Sequence, residues 1–221
     1  MPMNVNIFVN QPNERVLFDP SRIGDPVAMQ TQWSPLKSGG NNFRTHKVTV
    51  VGSRLQFRAS SGALLFYFIV LLIGGALMWA ASVTKLPSGG FAFHVREGVL
   101  FVAGIVVVTL GACLAYSGTA SIVFDKETGY FWKGRKTTNA LLETEPLKNR
   151  AKLDDILALQ LLPEYISSTR SERSYYSFEL NLVLKDGRRI NVVDHGDLTR
   201  MRADVGTLSA FLGKPIWDLA S

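Results

Sequence analysis

ASSGALLFYFIVLLIGGALMWAASVT, residues 59–84, runs for 26 positions without a charged side chain, and GVLFVAGIVVVTLGACLAYSGTASIVF, residues 98–124, runs for 27. A helix needs about 20 mostly apolar residues to cross the roughly 30 Å hydrocarbon layer of a bilayer. Core helices of globular proteins are rarely apolar all round for this length, because one face meets water. The two runs therefore predict transmembrane helices over 61–84 and 98–119, joined by a short loop over 85–97. The polar leader before residue 60 is unlike the short basic start of a cleaved signal peptide.

Charge placement extends the reading. Residues 1–61 hold 7 Lys/Arg against 3 Asp/Glu, whereas residues 121–221 hold 15 against 14. The pI near 9.5 thus reflects basic groups beside the membrane. It does not come from a basic stripe with interleaved aromatics, so no nucleic-acid partner is expected. Arg44, Lys47, Arg54 and Arg58 precede the first run, and Lys126, Lys133, Arg135 and Lys136 follow the second. The connecting loop has only Lys85 and Arg96. Basic flanks stay on the cytoplasmic side, which predicts a multi-pass protein of the bacterial inner membrane with both termini cytoplasmic and a periplasmic loop. The single cysteine, Cys113, rules out a disulfide framework or a cysteine-built zinc site within the chain.

Within the second run Gly104, Gly111 and Gly118 recur every seven residues, with Ala115 near the same stripe. Small residues let helix backbones approach in lipid, so these four are expected to pack the hairpin, or alternatively a second copy. No Asp, Glu, Lys, Arg or His lies inside either expected span, which argues against an ion or proton path.

Around the hairpin the pattern becomes β-rich. Residues 1–45 read as an irregular segment and 46–60 as a β-hairpin with its turn at Gly52-Ser53. Residues 120–134 read as another hairpin, 137–152 as a loop and 156–162 as a buried strand. In YYSFELNLVL, residues 175–184, Tyr176, Phe178, Leu180, Leu182 and Leu184 alternate with Ser177, Glu179 and Asn181. Asp186-Gly187 supplies a turn with both residues at positive φ, and 188–193 returns as the partner strand. Asp197 is a fitting N-cap for an amphipathic helix over 198–212, ended by Gly213.

The fold class expected is thus an α+β membrane protein: a two-helix transmembrane hairpin plus about 5–7 antiparallel strands and a C-terminal amphipathic helix. In element order, residues 47–217 resemble the bacterial membrane-anchored PH-like (pleckstrin-homology-like) domain proteins with two transmembrane helices. The resemblance rests on the 175–193 hairpin and the 197–212 helix, and departs from the family in placing strands on both sides of the anchor. It implies a small binding or scaffolding barrel rather than an enzyme.

Chemistry-bearing patterns are few. Asp194-His195-Gly196-Asp197 is the most polar cluster, and reads as a strand-to-helix turn with Asp197 as cap more readily than as an acid/base or metal site. No nucleophile elbow or phosphate loop occurs. No catalytic residue, cofactor or metal is assigned. Lys133, Arg135 and Lys136 are candidate lipid-head contacts, and Phe91 and Phe93 are candidate outer-loop partner contacts. The expected function is a non-enzymatic inner-membrane protein whose cytoplasmic PH-like domain binds a protein or lipid partner. The second reading is a membrane-resident immunity or resistance protein that neutralises a toxin. Expected partners are membrane lipids and a protein or a second copy of the chain.

Overall fold

A computed structural model describes residues 18–40, 42–83, 91–135, 149–167 and 174–220, with the side chains of 91–94 left aside. The chain divides into two compact units: Ala59–Ala120, and the sequence on either side of it, Met1–Arg58 with Ser121–Ser221.

The first unit is a helical hairpin. Helix α2 (Ser61–Val83) and helix α3 (Phe91–Gly118) are long and apolar enough to cross a membrane. A short helix, α1 (Pro26–Gln30), precedes them in the chain. At 1.5 Å per residue α2 and α3 span about 35 Å and about 42 Å. The second helix starts at Phe91, inside the loop expected over 85–97, so Phe91, Phe93 and Arg96 sit on helical backbone. Glycine sets the helix–helix contact. A Cβ on Gly104 would lie 2.5 Å from Met78 Cγ and 2.9 Å from the Gly74 carbonyl oxygen. One on Gly74 would lie 2.7 Å from Val108 Cγ2, one on Gly111 3.0 Å from Val70 Cγ1, and one on Gly118 would overlap the Tyr67 ring. The stripe expected to serve either this hairpin or a second copy is thus used within the chain. Ala115 is half-buried near it. Gly104→Ile should therefore cost the hairpin about 1–3 kcal/mol of packing. Gly75→Ile is the control, because a Cβ there meets nothing within 4 Å. Thermal unfolding in detergent, followed by helix circular dichroism, checks the difference; equal midpoints would contradict it.

The second unit is a two-sheet sandwich. One sheet has the order β1-β2-β3-β4-β5, made of His46–Val51, Arg54–Ala59, Ile122–Asp125, Tyr130–Lys133 and Arg150–Lys152. The other has the order β8-β7-β6-β9, in which β6 is Ile156–Ile166, β7 Tyr175–Leu184, β8 Arg189–His195 and β9 Ile216–Asp218. Strands β2 and β3 pair antiparallel, with Phe57 opposite Ile122, although 64 residues separate those partners in the sequence. The helical hairpin is therefore an insertion into one β-hairpin of the sheet.

Alternate residues of both sheets point inward. Leu55, Phe57, Ile122, Phe124 and Phe131 meet Leu159, Leu161, Leu180, Leu182 and Val192. Helix α4 (Leu198–Leu212) adds Met201, Val205 and Leu208 to the same core. Its N-cap is Asp197, which accepts the Arg200 N–H at 3.0 Å, and Gly213 ends it at φ 67°.

Four local expectations change. Strand β5 lies inside the loop expected over 137–152. Ile216–Asp218, where no strand was expected, forms β9, parallel to β6 at Leu159–Leu161. Strand β6 runs through Pro163 to Ile166, beyond the end expected at 162. Beyond Leu161 that strand has a neighbour on one side only, and a residue lacking an N–H is tolerated at such an edge. At the β7–β8 turn only Gly187 has positive φ, at 80°. Asp186 avoids that conformation and instead accepts the Arg188 N–H at 3.0 Å.

Candidate functional site

The alternation in β7 sends Ser177, Glu179 and Asn181 to the outer face of the second sheet. Those residues are 1%, 1% and 0% exposed, so this polar face does not meet water. Residues 18–40, part of the segment expected to be irregular, cover it. Helix α1 (Pro26–Gln30), capped by Asp25, packs Ala28 against this sheet. Trp33 packs with Trp217 at 5.7 Å between ring centroids, over Ala158, Leu162 and Val183.

Residues 32–40 then cross the sheet. Gln160 Nε2 donates to the Gln32 carbonyl at 3.1 Å, and Arg189 Nη1 to the Ser34 carbonyl at 2.7 Å. The Glu179 carboxylate accepts the N–H groups of Leu36 and Lys37 at 2.7 and 2.8 Å. The Glu164 carboxylate accepts those of Gly39 and Gly40 at 3.0 and 3.1 Å. Tyr175 Oη donates to the Gly40 carbonyl at 3.0 Å. Gly40 has to be glycine, because a Cβ there would overlap the Ser177 side chain. Charged acceptors aimed at backbone N–H groups satisfy carboxylates that would otherwise be costly to bury.

A second polar group lies where β4 meets β8. Lys133 Nζ donates to Asn191 Oδ1 at 3.2 Å and to the Val192 carbonyl at 3.0 Å. Burial lowers the Lys133 pKa, with the nearby Asp194 opposing that shift. Asp194, which accepts from Asn191 Nδ2 at 2.9 Å, is pushed up to about 6, chiefly by burial. His46 is lowered to about 4 by burial and then by Lys133. His195 is lowered to about 4 by burial and then by Arg44. Its Nδ1 accepts the Asp197 N–H at 3.3 Å, while the buried Nε2 has no hydrogen-bond partner among the described residues. A neutral imidazole in this setting belongs to a strand-to-helix turn. Gly196 lets that turn close on the Asn42 backbone, whose carbonyl carbon would lie 2.6 Å from an added Cβ. Among the described residues no group of three or more His, Cys, Asp or Glu could hold a metal.

A cleft of about 280 Å³ opens between β4, β5 and the β7–β8 turn. Tyr130, Arg150, Lys152, Asp155 and Arg188 line it, with the buried Ala151 and Leu184. Arg150, Lys152 and Arg188 outnumber Asp155 and the Asp186 carboxylate that Arg188 pairs with at 2.7 Å, a balance that suits an anionic group. Tyr130 pairs with Asp125, whereas Lys133 pairs with Ile122. The cleft and the basic tract read from the sequence thus lie at opposite ends of β4.

The sequence-derived contacts redistribute accordingly. Lys133 is a correction: its ammonium turns inward to β8, because the two sheets offer it acceptors there, and it is not presented to a lipid head. Arg135 is exposed, and Lys136 lies outside the described residues. Phe91 and Phe93 fall in the first turn of α3, with side chains outside the described set. Gly104, Gly111 and Gly118 meet α2. Sequence reasoning missed Arg150, Lys152 and Arg188, since they come from a three-residue strand and a turn with no motif. The Pro and Gly residues of 34–40 gave no hint that their N–H groups cover a sheet. No family, curated protein or solved structure matches this chain in comparison.

Proposed function

We propose that this chain is a two-span protein of the bacterial inner membrane, with both termini cytoplasmic, whose PH-like sandwich binds a partner, protein or lipid, through an anionic group held in the cleft. The pairing of β2 with β3 carries the reading. Hydrogen-bonded strands share one compartment, so a hairpin inserted between them crosses the membrane an even number of times. The helices fit lipid rather than a protein core: only 17% and 11% of their most apolar stretches are buried. Leu65, Phe68, Leu72, Val99 and Val102 are each more than half exposed, and Trp79 and Tyr116, also exposed, have the ring chemistry of interface residues. The basic flanks favour the cytoplasm for the sandwich. A binding role suits a domain whose buried histidines are held neutral and whose basic groups gather in an open cleft.

The test uses the whole chain in neutral detergent, titrated with short-chain phosphatidylglycerol and, as neutral control, short-chain phosphatidylcholine. Arg150→Gln, Lys152→Gln and Arg188→Gln should each weaken binding of the anionic lipid by about tenfold, the value of one charge-assisted contact. Arg135→Gln should leave it unchanged. Equal affinity for the two lipids would remove a lipid as the ligand of the cleft.

A further inference from the structure

Residues 32–40 lie on the second sheet without joining its ladder, whose order is β8-β7-β6-β9. What holds them is unusual in kind. Gln160, Glu164, Tyr175, Glu179 and Arg189 make seven hydrogen bonds to main-chain atoms of this segment. The side chains of Ser34, Leu36, Lys37 and Ser38 are exposed. Trp33, 3% exposed, Gly39, at φ 83°, and Gly40, which admits no Cβ, are fixed by identity. Side chains that read a backbone, with one aromatic anchor and a pair of glycines six and seven residues later, make a groove for a bent peptide.

We propose that the outer face of this sheet is a peptide groove, occupied by the chain's own residues 18–40, and that the same segment of a second copy exchanges into it. A second copy is the fitting occupant because it brings the same Trp33-to-Gly40 spacing. The strap's covalent tie to the sandwich runs through residues 41–45 alone, so exchange breaks no strand pairing. It links neighbouring copies without any contact between hairpins, and it is independent of the basic cleft.

The test keeps the full chain in detergent, with a protease site inserted at Asn41. After cleavage, a fluorescent synthetic peptide of residues 18–40 is added and its uptake followed by anisotropy, while near-UV circular dichroism reports the sandwich. The labelled peptide should enter and displace the resident one. A peptide carrying Leu36→Ala, Lys37→Ala and Ser38→Ala should enter with affinity within about threefold, as exposed positions allow. A Gly40→Ala peptide should bind at least about tenfold more weakly, as overpacking requires. Three results would overturn the proposal: no uptake by a sandwich that stays folded, unfolding of the sandwich on cleavage, or a triple-alanine peptide as weak as the Gly40→Ala one.

Discussion

Removing residues 59–120 and joining Arg58 to Ser121 through Asn-Gly should turn a protein that needs detergent into one that dissolves in plain buffer with its sandwich intact. The register makes this specific. Phe57 opposes Ile122, so the next pair outward is Arg58 and Ser121, and an Asn-Gly connection is a favoured two-residue hairpin loop. The hydrophobic cores of the sandwich contain no residue from 59–120. The excision removes the exposed apolar surface of α2 and α3 and shortens the closure between β2 and β3, which also lowers its entropic cost. Ultracentrifugation after lysis checks partitioning, and near-UV circular dichroism checks packing. The full chain should pellet with membranes; the excised chain should stay in the supernatant with fixed aromatic signals. An excised chain that aggregates or loses those signals would mean that the hairpin is part of the fold rather than an insertion.

Acid should destabilise the sandwich between pH 6.5 and 4, by an amount comparable with a large part of its stability. His46 and His195 have folded-state pKa values lowered to about 4 from 6.5. Above pH 6.5 both states are neutral and nothing is lost. As pH falls below 6.5 the unfolded chain takes up protons that the folded one refuses, and stability drops until about pH 4. Asp194 acts in the opposite sense. Its pKa is raised to about 6 from 3.8, so the penalty for burying its charge fades as pH falls from 6 towards 4. At 1.36 kcal/mol per unit, each histidine contributes a loss of about 3 kcal/mol and Asp194 a gain of about 3 kcal/mol. The net loss of about 3 kcal/mol is set against a total of about 5–15 kcal/mol for a domain. Denaturant midpoints of the full chain in detergent, measured from pH 7 to 4, should therefore fall. His46→Gln with His195→Gln should reverse the trend, leaving the gain from Asp194, and Asp194→Asn should steepen the fall. A midpoint independent of pH in all three proteins would contradict the burial of these groups.

The sequence exposes some of this architecture because the physics is local. Uncharged runs longer than a bilayer crossing mark α2 and α3 without help from any contact. Strict alternation marks β7, and the cap residues Asp197 and Gly213 bracket α4. What stayed hidden depends on distant partners. The three-residue strands β5 and β9 are too short for a period to register, and each exists because a neighbouring strand supplies its pairing. Alternation in β7 separates Ser177, Glu179 and Asn181 from the core face, but it cannot say what covers them. Here the cover is a segment of prolines, glycines and polar residues whose useful groups are N–H donors, and those are invisible to side-chain pattern. Lys133 looked like a membrane-facing charge for the same reason: only the second sheet reveals its acceptors. Arg150, Lys152 and Arg188 come together only when β5 and the β7–β8 turn meet.

Site-directed labelling with a membrane-impermeant maleimide in intact cells, in a Cys113→Ser background, addresses the insertion of the hairpin most directly. Ser53→Cys and Thr128→Cys sit in the turns of β1–β2 and β3–β4, one before and one after the hairpin, and the backbone of Lys126 donates to Ser53 across them at 3.0 Å. Both should resist the reagent until the cells are broken, while Ser88→Cys, between the helices, should react from outside. Reaction of only one of the two turn cysteines in intact cells would place paired strands in different compartments, and would contradict a hairpin set into a single cytoplasmic sheet.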